Sequence, residues 1–254
     1  MAIYGTEASE VINGTNATET IYGGNGADTI YGADGDDLIF GGDNYVDLDD
    51  DGDSIYGGNG NDKIYANTGD DIIYGEGGHD EAFGGYGRDL LYGGDGNDSL
   101  YGGGAIADPT DVEDTLYGGA GDDTLISNGG NDQVYGEDGN DLIYAGFGDD
   151  VINGGAGDDH LYGLTGNDQL TGGSGNDTFY FFSASGIDII TDFAAGDKIA
   201  LQRNLNDSGI DTGAEAVAAT IYSGGEQAII MLGGGNFVTL DTTYVLTEGD
   251  FTFF

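Results

Sequence analysis

Apolar and acidic positions recur along most of this chain at an interval of nine. In each nine-residue unit the sixth position is acidic and the eighth is apolar, while the first and fourth are mostly glycine. Eighteen units fit between residues 5 and 180, sixteen of them nine residues long and two of them sixteen. Position eight is held by residues such as Ile30, Ile64, Leu91, Leu116, Ile143 and Leu161, with Ala82 the smallest. The pattern predicts a glycine-rich six-residue turn followed by a three-residue strand at positions seven to nine. Period-two alternation sends position eight inward and its two neighbours outward. One unit cannot bury a single apolar side chain, whereas stacked units build a narrow, continuous core.

The acidic column changes the picture from structure to chemistry. It begins with Glu10 and Glu19 and continues as Asp28, Asp37, Asp53, Asp62, Asp71, Asp80, Asp89, Asp98, Asp114, Asp123, Asp132, Asp141, Asp150, Asp159, Asp168 and Asp177. Carboxylates set in flexible glycine turns are hard oxygen donors, suited to the six-to-eight coordination of Ca²⁺. The absence of Cys and the presence of only two His, His79 and His160, argue against zinc and copper. Charge points the same way: 48 acidic residues against 4 basic ones give a net −44, in a chain with 53 glycines. Self-repulsion and backbone entropy would keep such a chain unfolded unless many cations bind it. Nucleic acid and anionic membranes are poor partners for such a surface, so no nucleic acid is expected, and no apolar run is long enough for a transmembrane helix.

The units at 57–65 (GGNGNDKIY), 93–101 (GGDGNDSLY) and 154–162 (GGAGDDHLY) fit the pattern GGxGxDxUx. In this the chain resembles the RTX, or hemolysin-type, calcium-binding repeat family. The resemblance implies an all-β, right-handed parallel β-roll with two units per turn, so that unit n stacks on unit n+2. It also implies Ca²⁺ between stacked turns, held by the position-six Asp carboxylates and backbone carbonyls. Residues 1–180 are expected to form this roll. Residues 5–22, the first two units, read as an N-terminal cap, because Glu10 and Glu19 are longer than Asp and Ala8 and Ala17 replace glycine. The long units 41–56 and 102–117 are both odd-numbered, so their loops should leave the same edge. The first carries Asp47, Asp49 and Asp51 in a D-x-D-x-D-G run. Gly58 stands where an EF-hand needs its bidentate Glu, which excludes that motif; an additional calcium site and a solvated acidic loop both stay open. The second, with the single proline Pro109, reads as a plain loop.

Beyond residue 180 the period stops. Short β-like runs at 187–193, 198–201, 228–232 and 237–240, separated by glycine turns, predict an antiparallel β cap over 181–254. Asp188, Asp192 and Asp197 lie in a D-x-I-x-D-F…G-D-x-I segment similar to one that follows many RTX arrays, which implies a final calcium site. The last nine residues resemble the uncleaved C-terminal signal of type I secretion substrates. That implies the type I secretion apparatus as a partner and a secreted, extracellular or cell-surface location. Tyr fills position nine in twelve units and should form outward ladders. These read either as strand propensity with neighbour stacking or as a platform for polysaccharide or a cell surface. No nucleophile–base pair or phosphate loop stands out, so no enzymatic activity is expected. The expected function is calcium-driven folding after export, with a structural, adhesion or matrix role. The alternative is the secretion and stability module of a larger exoenzyme such as a protease, lipase or alginate epimerase; Met1 and the gradual first units favour a complete small protein.

Overall fold

A computed structural model describes residues 1–42, 51–103, 112–183, 185–203, 209–223 and 227–254. In it the chain winds between two sheets, consecutive units alternating from one sheet to the other. Ile72–Gly77, Leu90–Asp95 and Thr115–Ala120 are parallel neighbours in one sheet. Lys63–Thr68, Glu81–Tyr86 and Ser99–Gly103 are parallel neighbours in the other. Unit n therefore stacks on unit n+2, as the resemblance implied. The position-eight side chains of both sheets, from Ile12 to Phe179, form one buried column. Both long units feed strands of the same sheet, Ser54–Asn59 and Thr115–Ala120.

The strands are longer than expected. Most run six residues, as in Leu90–Asp95, because pairing resumes in the following turn: beyond Tyr92–Tyr74, Gly94 pairs with Glu76 and Asp95 with Gly77. Identical turns stacked in register keep their backbones paired even where side-chain alternation has ended. At position two the backbone is left-handed, and six residues other than glycine accept it: Ala33, Asn67, Glu76, Asn128, Glu137 and Leu164, with φ between 75° and 86°. Position four is stricter. Gly96 has φ 138°, outside the left-handed well open to other residues, and a Cβ there would land on the Gly78 carbonyl of the turn beside it.

The roll takes in residues ahead of the first nine-residue unit and runs on past its expected end at residue 180. Ala2–Tyr4 pairs parallel with Thr20–Tyr22, placing Ile3 in register with the position-eight residue Ile21. Ile187–Ile190 and Lys198–Leu201 continue the two parallel ladders beyond residue 180, and Asn236–Asp241 and Phe251–Phe253 follow them. The antiparallel part is smaller than predicted, confined to Thr220–Ser223, Gln227–Gly233 and Asn236–Asp241. Apolar runs such as Lys198–Leu201 carry no orientation signal; stacking on the preceding turn makes them parallel. Leu232, Val238, Leu240, Leu246 and Phe251 close the core at this end.

Outside, the position-nine rings stack. Tyr31, Tyr56, Tyr74, Tyr92, Tyr117 and Tyr135 form one row with centroids 4.8–4.9 Å apart and planes within 14°. The other sheet carries Tyr4, Tyr22, Phe40, Tyr65, Phe83 and Tyr101 and, beyond Ile126, Tyr144, Tyr162 and Tyr180. Stacked in this way the rings cover one another's faces and present mainly edges and hydroxyls to solvent. Among the described residues, no helix is long and apolar enough to cross a membrane.

Candidate metal centres

Position six lies two residues before the buried position eight, so strand alternation turns its side chain inward as well. All sixteen position-six Asp residues are buried, none more than 3% exposed. They form two columns, one for each edge of the roll. In every column the Oδ1 of one Asp accepts the backbone N–H of the position-six residue one turn earlier. Asp98 Oδ1 takes Asp80 N–H at 2.8 Å, and Asp123 Oδ1 takes Asp98 N–H at 2.7 Å. Asp114 takes Asp89 N–H and Asp132 takes Asp114 N–H, both at 2.8 Å.

The second oxygen has a different fate. Oδ2 of Asp28, Asp37, Asp62, Asp80, Asp98, Asp123, Asp141, Asp150, Asp159, Asp168 and Asp188 is buried without a hydrogen-bond partner among the described residues. A buried, unpaired carboxylate oxygen is costly. Nine of these oxygens face the glycine that opens their own unit; Ala145 stands there for Asp150, and Asp188 lies beyond the units. A Cβ on Gly57 would stand 2.6 Å from Asp62 Oδ2 and 2.8 Å from the carbonyl oxygen of Gly75, one turn on. At Gly75 the same two kinds of oxygen, from Asp80 and Gly93, would both be at 2.5 Å. The missing side chain thus leaves a cradle into which a carboxylate oxygen and a backbone carbonyl converge, in successive turns from Gly32 to Gly154 along one edge and at Gly23 and Gly41 on the other.

Burial, reinforced by the like charges of neighbouring carboxylates, pushes these carboxyls up from 3.8. Asp62, Asp141, Asp159 and Asp177 reach about 6, Asp80 and Asp168 about 7, and Asp123, Asp150 and Asp188 about 8. Among the described residues no three acidic or histidine side chains come together as a metal-binding group. A cation held here would take its oxygens from carboxylates and backbone carbonyls together, which suits a hard ion of flexible coordination and not zinc or copper.

The ends of both columns close differently. Glu10 and Glu19 give their own N–H groups to Asp28 and Asp37. Their longer side chains curl back into their own turns, Glu10 onto the Thr6 N–H and Glu19 onto the N–H and hydroxyl of Thr15. Hydrogen bonds from Thr15 hold the Glu19 carboxyl below its ordinary value. At the other end Asp188 and Asp197 continue the columns, accepting the N–H groups of Asp168 and Asp177. Asp197 Oδ2 is already satisfied by the Ala194 N–H at 2.7 Å. Asp192 stands apart from the columns and receives the N–H groups of Gly172 and Gly173. Asp47 and Asp49 lie outside the described residues, and Asp51 is exposed and outside the columns.

Two features escaped the sequence reading. Asn67 and Asn128 each stand one turn after a long unit, and their side-chain amides donate to the carbonyls of Gly42 and Gly103, where the loops depart. The signal was available: Asn fills position two in these two nine-residue units and in no other. An outer ladder at position five runs the opposite way. Asn61 Oδ1 accepts the His79 N–H, His79 Nδ1 accepts the Asn97 N–H at 2.7 Å, and Asn97 Oδ1 accepts the Asp122 N–H. His79 therefore serves as an acceptor in a turn, and His160 lies on an outer face beside the Tyr180 hydroxyl.

Among known families, the RTX calcium-binding nonapeptide repeat (4 copies) matches residues 4–45, 48–82, 74–105, 110–143 and 144–179. No curated protein matches the chain. Among solved structures, the extracellular lipase LipA from Serratia marcescens aligns at 17% identity and TM-score 0.34, over 96% of this chain and 40% of the lipase. The chain thus spans less than half of that enzyme's length. The AlgE6R3 subunit of the Azotobacter vinelandii mannuronan C5-epimerase aligns at 27% identity and TM-score 0.35, over 57% of this chain and 81% of the subunit.

Proposed function

The chain belongs to the RTX calcium-binding nonapeptide repeat family, and from that premise we propose that its sixteen position-six Asp residues, joined by Asp188, hold a row of Ca²⁺ ions along each edge of the roll. The repeat is a calcium-binding structural module and not a catalytic one, and the family is secreted or surface-associated. The observation that carries the assignment is the repeated buried Oδ2 without a partner, facing a carbonyl across the space beside a glycine. Bound calcium would supply the positive charge these oxygens lack. The chain does the rest: Oδ1 fixes each carboxylate to the preceding turn, position-one glycine keeps the cradle open, and the core column sets the spacing.

On this reading folding and calcium binding are one event. In a calcium-poor cytoplasm the repelling chain stays extended and fits a type I secretion channel, and millimolar calcium outside the cell closes it into a rigid rod with a structural or adhesive role. Stacked rings with covered faces make a poor sugar platform, so polysaccharide binding through the tyrosine rows is not favoured.

Far-ultraviolet circular dichroism of the metal-depleted chain tests the reading. The spectrum should be coil-like, turn to β on adding calcium and stay coil-like with magnesium. A β spectrum without any divalent ion would overturn it.

A further inference from the structure

With 17 tyrosines, two methionines and no cysteine or tryptophan, tyrosine is the main side chain here that can lose a single electron. Nearly all the stacked tyrosines keep the spacing of the strands that carry them, about 4.8 Å. The row from Tyr31 to Tyr135 has centroids 4.8–4.9 Å apart, and Tyr4 and Tyr22 are 5.0 Å apart. On the opposite sheet Phe40 and Phe83 interrupt the phenols. At the far end of that sheet the rings converge. Tyr144 and Tyr162 are 4.3 Å apart with planes at 24°, and Tyr162 and Tyr180 are 4.1 Å apart with planes at 9°.

The surroundings of this last pair hold it in place. Tyr162 and Tyr180 are eighteen residues apart in the chain but directly paired in the parallel ladder. The Tyr180 hydroxyl lies 2.9 Å from His160 Nδ1, and its ring stacks on that imidazole at 5.5 Å. Phe182 stands 6.1 Å from the Tyr162 ring and Phe254 stands 5.9 Å from the Tyr180 ring. Burial and a hydrogen bond to the Tyr180 hydroxyl raise the Tyr162 phenol above its ordinary value. That bond sets the two oxygens, and the ring carbons beside them, next to each other. Both rings remain partly exposed, within reach of an oxidant.

We propose that Tyr162 and Tyr180 are a site of dityrosine formation, where a one-electron oxidant, a haem peroxidase with hydrogen peroxide, joins two neighbouring turns. Each phenol gives one electron to the oxidant and its hydroxyl proton to water. The two phenoxyl radicals couple through the ring carbons beside their oxygens, and loss of the ring hydrogens with reprotonation of the oxygens restores two phenols. In net, two ring C–H bonds break and one carbon–carbon bond forms. The two electrons and two protons released turn one hydrogen peroxide into two waters. Tyr162 can couple once through this face, and the closer, flatter stack selects Tyr180 over Tyr144. The product is a covalent link between the strands His160–Thr165 and Thr178–Phe181 that persists when calcium is withdrawn.

The test treats the full chain, in saturating calcium and shown to be folded by circular dichroism, with peroxidase and limiting hydrogen peroxide. Dityrosine fluorescence should appear in a chain that still runs as a monomer on a denaturing gel. Digestion and mass spectrometry should place the main bond between Tyr162 and Tyr180. Tyr162→Phe, which keeps a ring in the stack, should lose most of this fluorescence, and Tyr92→Phe, inside the six-ring row, should keep it. Metal-depleted chain with a coil spectrum should yield little of the bond, because the register is gone. The site depends on the fold and not on the ion that produces it. A chain that folded without calcium would form the same bond, so failure of the calcium assignment leaves this test intact. Folded chain without intramolecular dityrosine would overturn the proposal. So would a main bond within the six-ring row, an undiminished yield in Tyr162→Phe, or an equal yield from the coil.

Discussion

Acid should partly replace calcium. Nine ladder carboxyls are held at about 6 to 8 in the metal-free fold instead of 3.8. A carboxyl raised in this way binds its proton more tightly when folded, so it favours the fold below pH 3.8 and opposes it increasingly as pH rises towards the folded value. At pH 7 each of the nine would cost roughly 3–4 kcal/mol at about 1.4 kcal/mol per pH unit. Solvent screening and the coupling between neighbouring carboxylates make the total much less than nine times that, yet even a few kcal/mol is a large part of the stability of an ordinary domain. The metal-free chain should therefore be coil at pH 7.5 and gain β structure below about pH 6. Resin-depleted protein, followed by circular dichroism down to pH 4.5, just above its isoelectric point near 4.1, measures this without a chelator. In saturating calcium the slope reverses, because protons then compete with the ion for the same oxygens. A coil spectrum unchanged down to pH 4.5, or a folded metal-free chain at pH 7.5, would refute the reasoning.

Three smaller perturbations follow from the same geometry. Asp98→Asn keeps an acceptor for the Asp80 N–H but loses the charge, so calorimetry should find one or two fewer calcium ions bound and cooperativity lost near that turn. Gly96→Ala forces a Cβ onto the Gly78 carbonyl at a φ of 138° and should cost about 3 kcal/mol or more in calcium; Glu76→Gly, at a left-handed position, should be neutral or stabilising. Asn128→Ala strands the buried Gly103 carbonyl and should cost about 1–3 kcal/mol, seen as a lower urea midpoint in saturating calcium, with no fall in calcium stoichiometry.

The sequence made the column at position eight, the acidic column and the alternation between two sheets legible, because each depends on a side chain repeating at one place in the unit. What it hid depends on backbone. The extension of strands into the turns comes from paired carbonyl and N–H groups that every residue carries. The left-handed position two was obscured because Glu76, Glu137 and Leu164 occupy it, whereas glycine fills position four in every nine-residue unit after the first two. Asp188 and Asp197 continue the columns at a spacing of 20 residues instead of 18, so a search for strict nines ends at residue 180 although the structure does not. Asn67 and Asn128 were visible as letters, but their meaning required knowing that the chain leaves the roll one turn earlier.

Stacking every second unit also gives the molecule a parity. Deleting eighteen residues from the middle would remove one whole coil and return every later strand to its own side. Deleting nine would send all downstream units to the opposite side, breaking the row of six tyrosines and interleaving charged Lys63 or Glu81 neighbours with neutral ones. Lineages of such rods should therefore lengthen and shorten in even steps, and an odd one would need a second odd change to restore its surfaces.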